Sequence, residues 1–326
     1  MEYRVSGYIY QNGRFINGTI EIDEGVVKTI SHRVDGNADL KGIVIPKPHN
    51  AHVHLLDYIV KDMTEERDLI KLVAPPDGIK HKMLSKASRE DLKYALNMAE
   101  ELAKKLHIGI ITEFRELGLL GVSLGKLSKN FRVLSRPRNI EEAREIIRIS
   151  DGLNLSSISD VDYSFAEEIS KIARSHGKMF AIHVSERIRE DIKAILDLEP
   201  TFVVHMTVAT REDIKEVAAE GIPVVVCPRS NAYFGLFPNV EAMIESGVRI
   251  LLGTDNHMIN SLNIFEEAEF LFKASKAFGQ EVKAIEVVKM LFRDFNKDLS
   301  VEEGIKAEEL LVIEDLRGIP ELVVLN

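Results

Sequence analysis

"SFAEEISKIARSHGKMFAIHVSE", residues 164–186, changes its rhythm once, and that change decides the fold. The first part carries apolar residues at helical spacing and stops at Gly177, a residue that suits a helix end. The second part, "MFAIHVS", is a short apolar and β-branched run of the kind that forms a buried strand, and it finishes on polar residues, His183 and Glu186. The same exchange recurs along the chain. Strand candidates are "GIVIPKPHNAHVH", "HIGIITEF", "FRVLSRP", "GLNLSSI", "MFAIHVS", "TFVVHM", "IPVVVCP" and "VRILLGTD". Helical patterns lie between them, among them residues 88–106, where Ser88 and Asp91 suit a capping turn and Leu92, Leu96, Ala99, Leu102 and Ala103 share one face. Eight strands alternating with helices predict an α/β fold, a (β/α)8 TIM barrel, with an open doubly wound sheet as the alternative.

The two ends do not follow this rhythm. Residues 3–31 read as short strands joined by Asn-Gly and Glu-Gly turns, and the tail "EELLVIED … ELVVLN" reads as further strands. The expectation is a small β-sandwich composed of 1–44 and 304–326 beside a barrel over 45–303.

Composition bounds the function. The chain has 326 residues, a formal charge of −10 and no long Lys/Arg cluster, which argues against nucleic acid or an anionic membrane as the main partner and for a small solute. No apolar run approaches the ~20 residues of a membrane helix, and the start has no signal-peptide pattern, so a soluble, cytoplasmic protein is expected. Plentiful Lys and Glu without Trp lean toward a thermophilic source. The single cysteine, Cys227, excludes an intramolecular disulfide and a thiolate-rich metal cage, so a metal would use imidazole and carboxylate. A homo-oligomer is left open.

Polar residues at the C-terminal ends of barrel strands occupy the place where such folds keep their chemistry. His52 and His54 end the first strand, His183 and Glu186 the fifth, His205 the sixth and Asp255 the eighth. Two imidazoles two positions apart on a strand point the same way and can share one ion at about 2.0–2.1 Å. Singly, each also reads as a solvated or satisfied polar residue. Together they are hard to obtain from a barrel without a metal. Arg115 and Glu116 after strand 2, Arg229 and Asn231 after strand 7, and His257 are candidate substrate contacts or, equally, rim ion pairs and loop bonds. His49 and Cys227 read as structural, and His32, His81, His107 and His176 as unremarkable.

"IPKPHNAHVH", "IHVSE", "VVHM", "VVVCPRSN" and "LLGTD", in this order, resemble the motifs of the amidohydrolase superfamily, in the branch of cytosine deaminase, guanine deaminase, methylthioadenosine deaminase and atrazine chlorohydrolase. "VEEGIKAEELLVIEDL" resembles the segment with which these proteins return to their small β domain. Lys47 and Pro48 depart from the usual pattern, and the chain is shorter than most members. The resemblance implies that His52, His54, His183 and Asp255 hold one divalent metal ion, Zn²⁺ or Fe²⁺. It implies that Glu186 is the proton shuttle and that His205 fixes the attacking water or the developing oxyanion, with Asp255 taking part in catalysis. A relative with two metals would need a lysine at the end of strand 4, and "DGLNLSSISDVDYS" has none. The expectation is therefore a mononuclear deaminase of a purine, pyrimidine or related nitrogen heterocycle. Ring opening or triazine hydrolysis at the same site, and a catalytically silent metal-binding barrel, are the alternatives.

Overall fold

The computed structural model describes residues 2–313 apart from 62–65, 67, 75–76 and 126. The chain starts as four strands, β1 (Tyr3–Gln11), β2 (Arg14–Asp23), β3 (Val26–Ser31) and β4 (Leu40–Pro46). The β1–β2 turn places Asn12 and Gly13 at φ 50° and 75°, the left-handed pair that matches strand twist in a two-residue hairpin.

Nine further strands form a second sheet: β5 (His49–His54), β6 (Ile110–Arg115), β7 (Phe131–Ser135), β8 (Gly152–Leu155), β9 (Met179–Val184), β10 (Phe202–His205), β11 (Val224–Val226), β12 (Ile250–Leu252) and β13 (Asp255–Asn256). Neighbours are parallel throughout. β12 pairs with β11, and β13, two residues later, pairs with β5, Asp255 facing Val53. They act as two halves of one eighth strand that closes the ring, which makes the fold a TIM-like barrel rather than an open sheet. All eight expected strands are present.

The last described strand, β14 (Leu310–Ile313), pairs antiparallel with β4, giving a small sheet of order β14-β4-β1-β2-β3 built from both ends of the chain. Val5, Ile9, Ile20, Val27, Val44 and Val301 form its core. The expected strand over 321–326 lies outside the described residues. "GIVIPKPHNAHVH" is divided between the sheets, so the histidines do not continue the strand of Ile43–Ile45. Pro48 has no N–H to give a ladder, and the Lys47 N–H turns aside to the Glu309 carbonyl at 2.8 Å.

Strand alternation sorts the barrel core. Ala51, Phe114, Leu134, Ala181, Val204 and Leu251 belong to the interior cluster, whereas Leu153, Phe180, Ile182, Val203 and Val226 pack outward on the helices. Of those helices, Arg89–Lys105 begins with the expected Ser88–Asp91 capping box and buries Leu92, Leu96, Ala99 and Ala103. The N-terminal end of the barrel is filled. Phe295 stacks on Phe202 with ring centroids 4.0 Å apart and meets the edge of His49, while Arg132 makes a two-pronged ion pair with Asp294 at 2.6 and 2.7 Å. Among the described residues no helix is long and apolar enough to cross a membrane.

Candidate active site

Three local departures from regular strand geometry bring the functional side chains together. In β5 the register against β6 slips between Asn50 and Val53, so Ala51 and His52 both reach the interior although they are adjacent. In β10, Val204 faces inward and His205 would face the helices, yet a left-handed backbone at His205 (φ 80°) and Met206 (φ 51°) turns the imidazole back into the barrel. Asp255 (φ 55°) and Ser185 (φ 46°) share this strained conformation, which non-glycine residues keep where surrounding structure imposes it. Gly253 is demanded by the same crowding, since a Cβ there would lie 2.8 Å from the His52 Cβ.

The result is a buried cluster of nitrogen and oxygen donors. His52 Nε2 is 3.3 Å from His183 Nε2 and 3.3 Å from Asp255 Oδ1, and His54 Nε2 is 3.6 Å from the same oxygen. Ligands held 2.0–2.1 Å from a tetrahedral centre stand about 3.3 Å from one another, so these spacings fit a single small cation. The ligand atoms of His52, His54 and His183, and those of His52, His205 and Asp255, form two overlapping groups each within 4.8 Å. Electrostatics agree with that use. Burial pushes the His52 imidazole down to about 3, and burial with the neighbouring rings pushes His183 well below its ordinary value, leaving both neutral, the form that binds a metal. Burial opposes the Asp255 charge, but the rings of His52, His205 and His54 outweigh it and hold the carboxyl well below the usual range. Ser230 Oγ and Asn256 Nδ2 donate to Asp255 Oδ2 at 2.5 and 2.9 Å, which leaves Oδ1 facing the histidines. Phe114 forms the apolar floor, its ring centroid 4.4 Å from that of His52.

Glu186 stands beside this cluster. Its Oε1 lies 3.5 Å from His205 Nε2 and 3.4 Å from the Asn231 amide nitrogen, which also approaches His205 Nδ1 at 3.2 Å. Burial raises the Glu186 carboxyl above its ordinary value, with His205 opposing, so the group is displaced toward the range of a working proton carrier. Above it opens a cavity of about 190 Å³ with Leu69, Ile70 and Val73 on one wall and Ser156, Ser157 and Arg136 on another.

The remaining expected contacts separate. Glu116 lines the cavity, in phase with inward-facing Phe114, but Arg115, one residue earlier, points away. Its guanidinium is wholly buried against Glu113 at 2.5 and 2.6 Å and bonds the carbonyls of Gly121 and Gly125, so it is a support for the 118–123 helix and not a substrate contact. Arg229 likewise is held away from the cavity by Glu267 and Glu266. Asn231 reaches the site through Glu186 and His205. His257 is buried beside Tyr58, its Nδ1 on the Asn260 carbonyl at 3.1 Å, and is not part of the cavity wall. Ser230, Asn256, Arg136, Lys80 and Asp57 belong to the site region without having been anticipated. Arg136 was within reach of strand parity, two residues after inward-facing Leu134, whereas Lys80 and Asp57 come from segments whose packing no local pattern announces.

Comparison with known proteins bears on this geometry. A family model described as "Amidohydrolase family" matches residues 43–291. Two archaeal proteins that bear the name "Putative aminohydrolase" are similar: that of Archaeoglobus fulgidus is 35% identical over 74% of this chain and 71% of its own, and that of Methanothermobacter thermautotrophicus is 30% identical over 98% and 94%. The structure of guanine deaminase from C. acetobutylicum with bound guanine superposes with a TM-score of 0.75 at 16% identity, covering 98% of this chain and 93% of that one, which speaks for the fold. With the family model spanning the barrel that carries the His/Asp cluster, and relatives aligned along most of the sequence, the chain belongs to the amidohydrolase family.

Proposed function

We infer that the protein is a mononuclear metal-dependent aminohydrolase that releases ammonia from a purine, pyrimidine or related nitrogen heterocycle. The observation that carries this reading is the position of Glu186, against His205 but outside both donor groups, His52/His54/His183 and His52/His205/Asp255, that could hold an ion. His52, His54, His183 and Asp255 would hold the ion, for which Zn²⁺ or Fe²⁺ suits three imidazoles and a carboxylate. Bound there, such an ion would supply Lewis-acid activation of water, whose pKa it would lower from ~15.7 toward ~7. Glu186 takes one proton from the attacking water and delivers it to a ring nitrogen. As the carbonyl forms it takes the second proton, from the hydroxyl of the tetrahedral intermediate, and gives it to the amine, whose bond to carbon breaks and which leaves as ammonia. His205, turned inward by its left-handed backbone, donates to the oxygen as negative charge develops there. Leu69, Ile70 and Val73 offer an apolar wall to a flat ring, and Ser156, Ser157 and Arg136 offer polar partners for its edge.

A single ion is favoured because β8 continues into Ser156, with no lysine to bridge two metals. The guanine deaminase structure with bound guanine supports a ring substrate by analogy. The test is ammonia release from metal-defined protein across nucleobases, nucleosides and amidines, with metal content measured on the same sample. Release from one ring class with about one ion per chain is expected. Two ions per chain, or no release from any member of the panel, would reject the reading.

A further inference from the structure

The geometry points to Glu116 as a positioning residue for His54, held in place by a buried Lys80, and not as a contact for substrate. Glu116 Oε1 lies 3.1 Å from His54 Nδ1 and 3.0 Å from Lys80 Nζ, and Oε2 lies 3.1 Å from Arg136 Nη2. Lys80 Nζ also stands 3.1 Å from Asp57 Oδ2. The side chains of His54, Glu116, Lys80 and Asp57 are 8%, 6%, 3% and 0% exposed, so these contacts act with little solvent screening.

An imidazole that ligates through one nitrogen gains from a carboxylate on the other, which fixes tautomer and ring orientation. His54 fits: Nε2 faces Asp255 Oδ1, and Nδ1 faces Glu116. The approach at Nδ1 is a close charge contact at 3.1 Å and not a formed hydrogen bond, and among the described residues Nδ1 has no hydrogen-bond partner. Glu116 in turn is occupied on both oxygens. Lys80 Nζ at 3.0 Å from Oε1 and Arg136 Nη2 at 3.1 Å from Oε2 set a cation against each oxygen, so it is a carboxylate that faces the His54 Nδ1 edge. Burial would neutralise Lys80, yet Asp57 and Glu116 together raise it, keeping an ammonium that can be neither a nucleophile nor a carbamate bridge. Lys80 belongs to the helix Ile79–Lys86 and Asp57 to the turn Leu55–Val60 just after the His-x-His strand, so the clamp ties an outer helix to the ligand it steadies.

This inference rests on the metal reading above, and the experiment keeps the two apart by measuring metal binding without substrate. Metal-stripped wild type, Glu116→Gln, Glu116→Asp and the charge-balanced Lys80→Met/Asp57→Asn double variant are titrated with Zn²⁺ against a colorimetric chelator. Each is also loaded with Co²⁺ for its visible absorption. Both Glu116 variants should bind Zn²⁺ about 10–100-fold more weakly and shift the Co²⁺ bands. The double variant should do the same to a smaller extent. Glu116→Asp keeps a charge opposite Lys80 and Arg136 while withdrawing from His54, so it reports on positioning even if the Gln variant fails to fold. Wild-type affinity and an unchanged Co²⁺ spectrum in the Glu116 variants would overturn the proposal. A wild-type protein that holds no metal would overturn both readings.

Discussion

Replacing Glu186 with Gln separates proton transfer from metal binding. The amide keeps the shape of the carboxylate and retains an oxygen for the Asn231 Nδ2 contact at 3.4 Å, so the surroundings need not rearrange. The carboxylate is buried and its charge is disfavoured there, so a neutral group should leave folding stability unchanged or slightly raised. Its Oε1 is 3.5 Å from His205 Nε2, and none of the donor groups that fit a cation includes it, so metal content should persist. Turnover should nonetheless fall by about 10²–10⁴, the usual worth of a positioned acid–base group, which is roughly 3–5.5 kcal/mol of barrier. Because burial raises this carboxyl, the acid limb of the wild-type pH–rate profile should lie above the ordinary Glu range and vanish in the variant. The assay is continuous ammonia release with metal analysis and thermal melting on the same preparation. Loss of metal along with activity would make Glu186 a ligand, and activity within a few-fold of wild type would move the proton work elsewhere.

Three further outcomes are expected. His52→Ala removes the ring that stands 3.3 Å from both His183 and Asp255, and elemental analysis should show the ion lost; retention of about one ion per chain would place the metal elsewhere. Gly253→Ala drives a methyl into the His52 backbone and Cβ at 2.8 Å, and should cost about 1–3 kcal/mol in urea unfolding and weaken metal binding; an unchanged midpoint would mean that the strand yields freely. His49 is buried and its pKa is pushed down to about 4, so the unfolded chain takes a proton near pH 6.5 that the folded one refuses until near 4. Its contribution, about 3 kcal/mol, is complete above pH 6.5 and lost as pH falls toward 4. A His49→Gln protein should lose less stability between these pH values, and an identical slope would refute the argument.

How far the sequence reaches depends on how local the signal is. The barrel was readable because each strand and helix carries its own period, and the closing of the ring follows once eight such units are counted. That His52, His54, His183, His205, Glu186 and Asp255 gather at one end of the barrel was readable because each follows a strand core; the roles given to them are proposals. Arg115 and Glu116 were read alike, although parity from Phe114 distinguishes them: Glu116 faces inward and Arg115 outward to Glu113. His205 shows the reverse difficulty, since parity alone sends it outward and only the left-handed backbone returns it. Lys80 and Asp57 were not legible at all. Their partnership with Glu116 joins three segments far apart in sequence, and only tertiary packing brings an ammonium between two carboxylates.

The filled lower end of the barrel governs traffic. Phe295 stacked on Phe202 and the Arg132–Asp294 pair occupy the end of the barrel opposite the histidines. With that end filled, what enters above the histidines is expected to leave on the same side. Under the proposed reaction, ammonia, the larger product and the next water share one mouth, so exchange has an order. A bulky product still seated there would hold back the refill, and product inhibition should then be competitive with substrate.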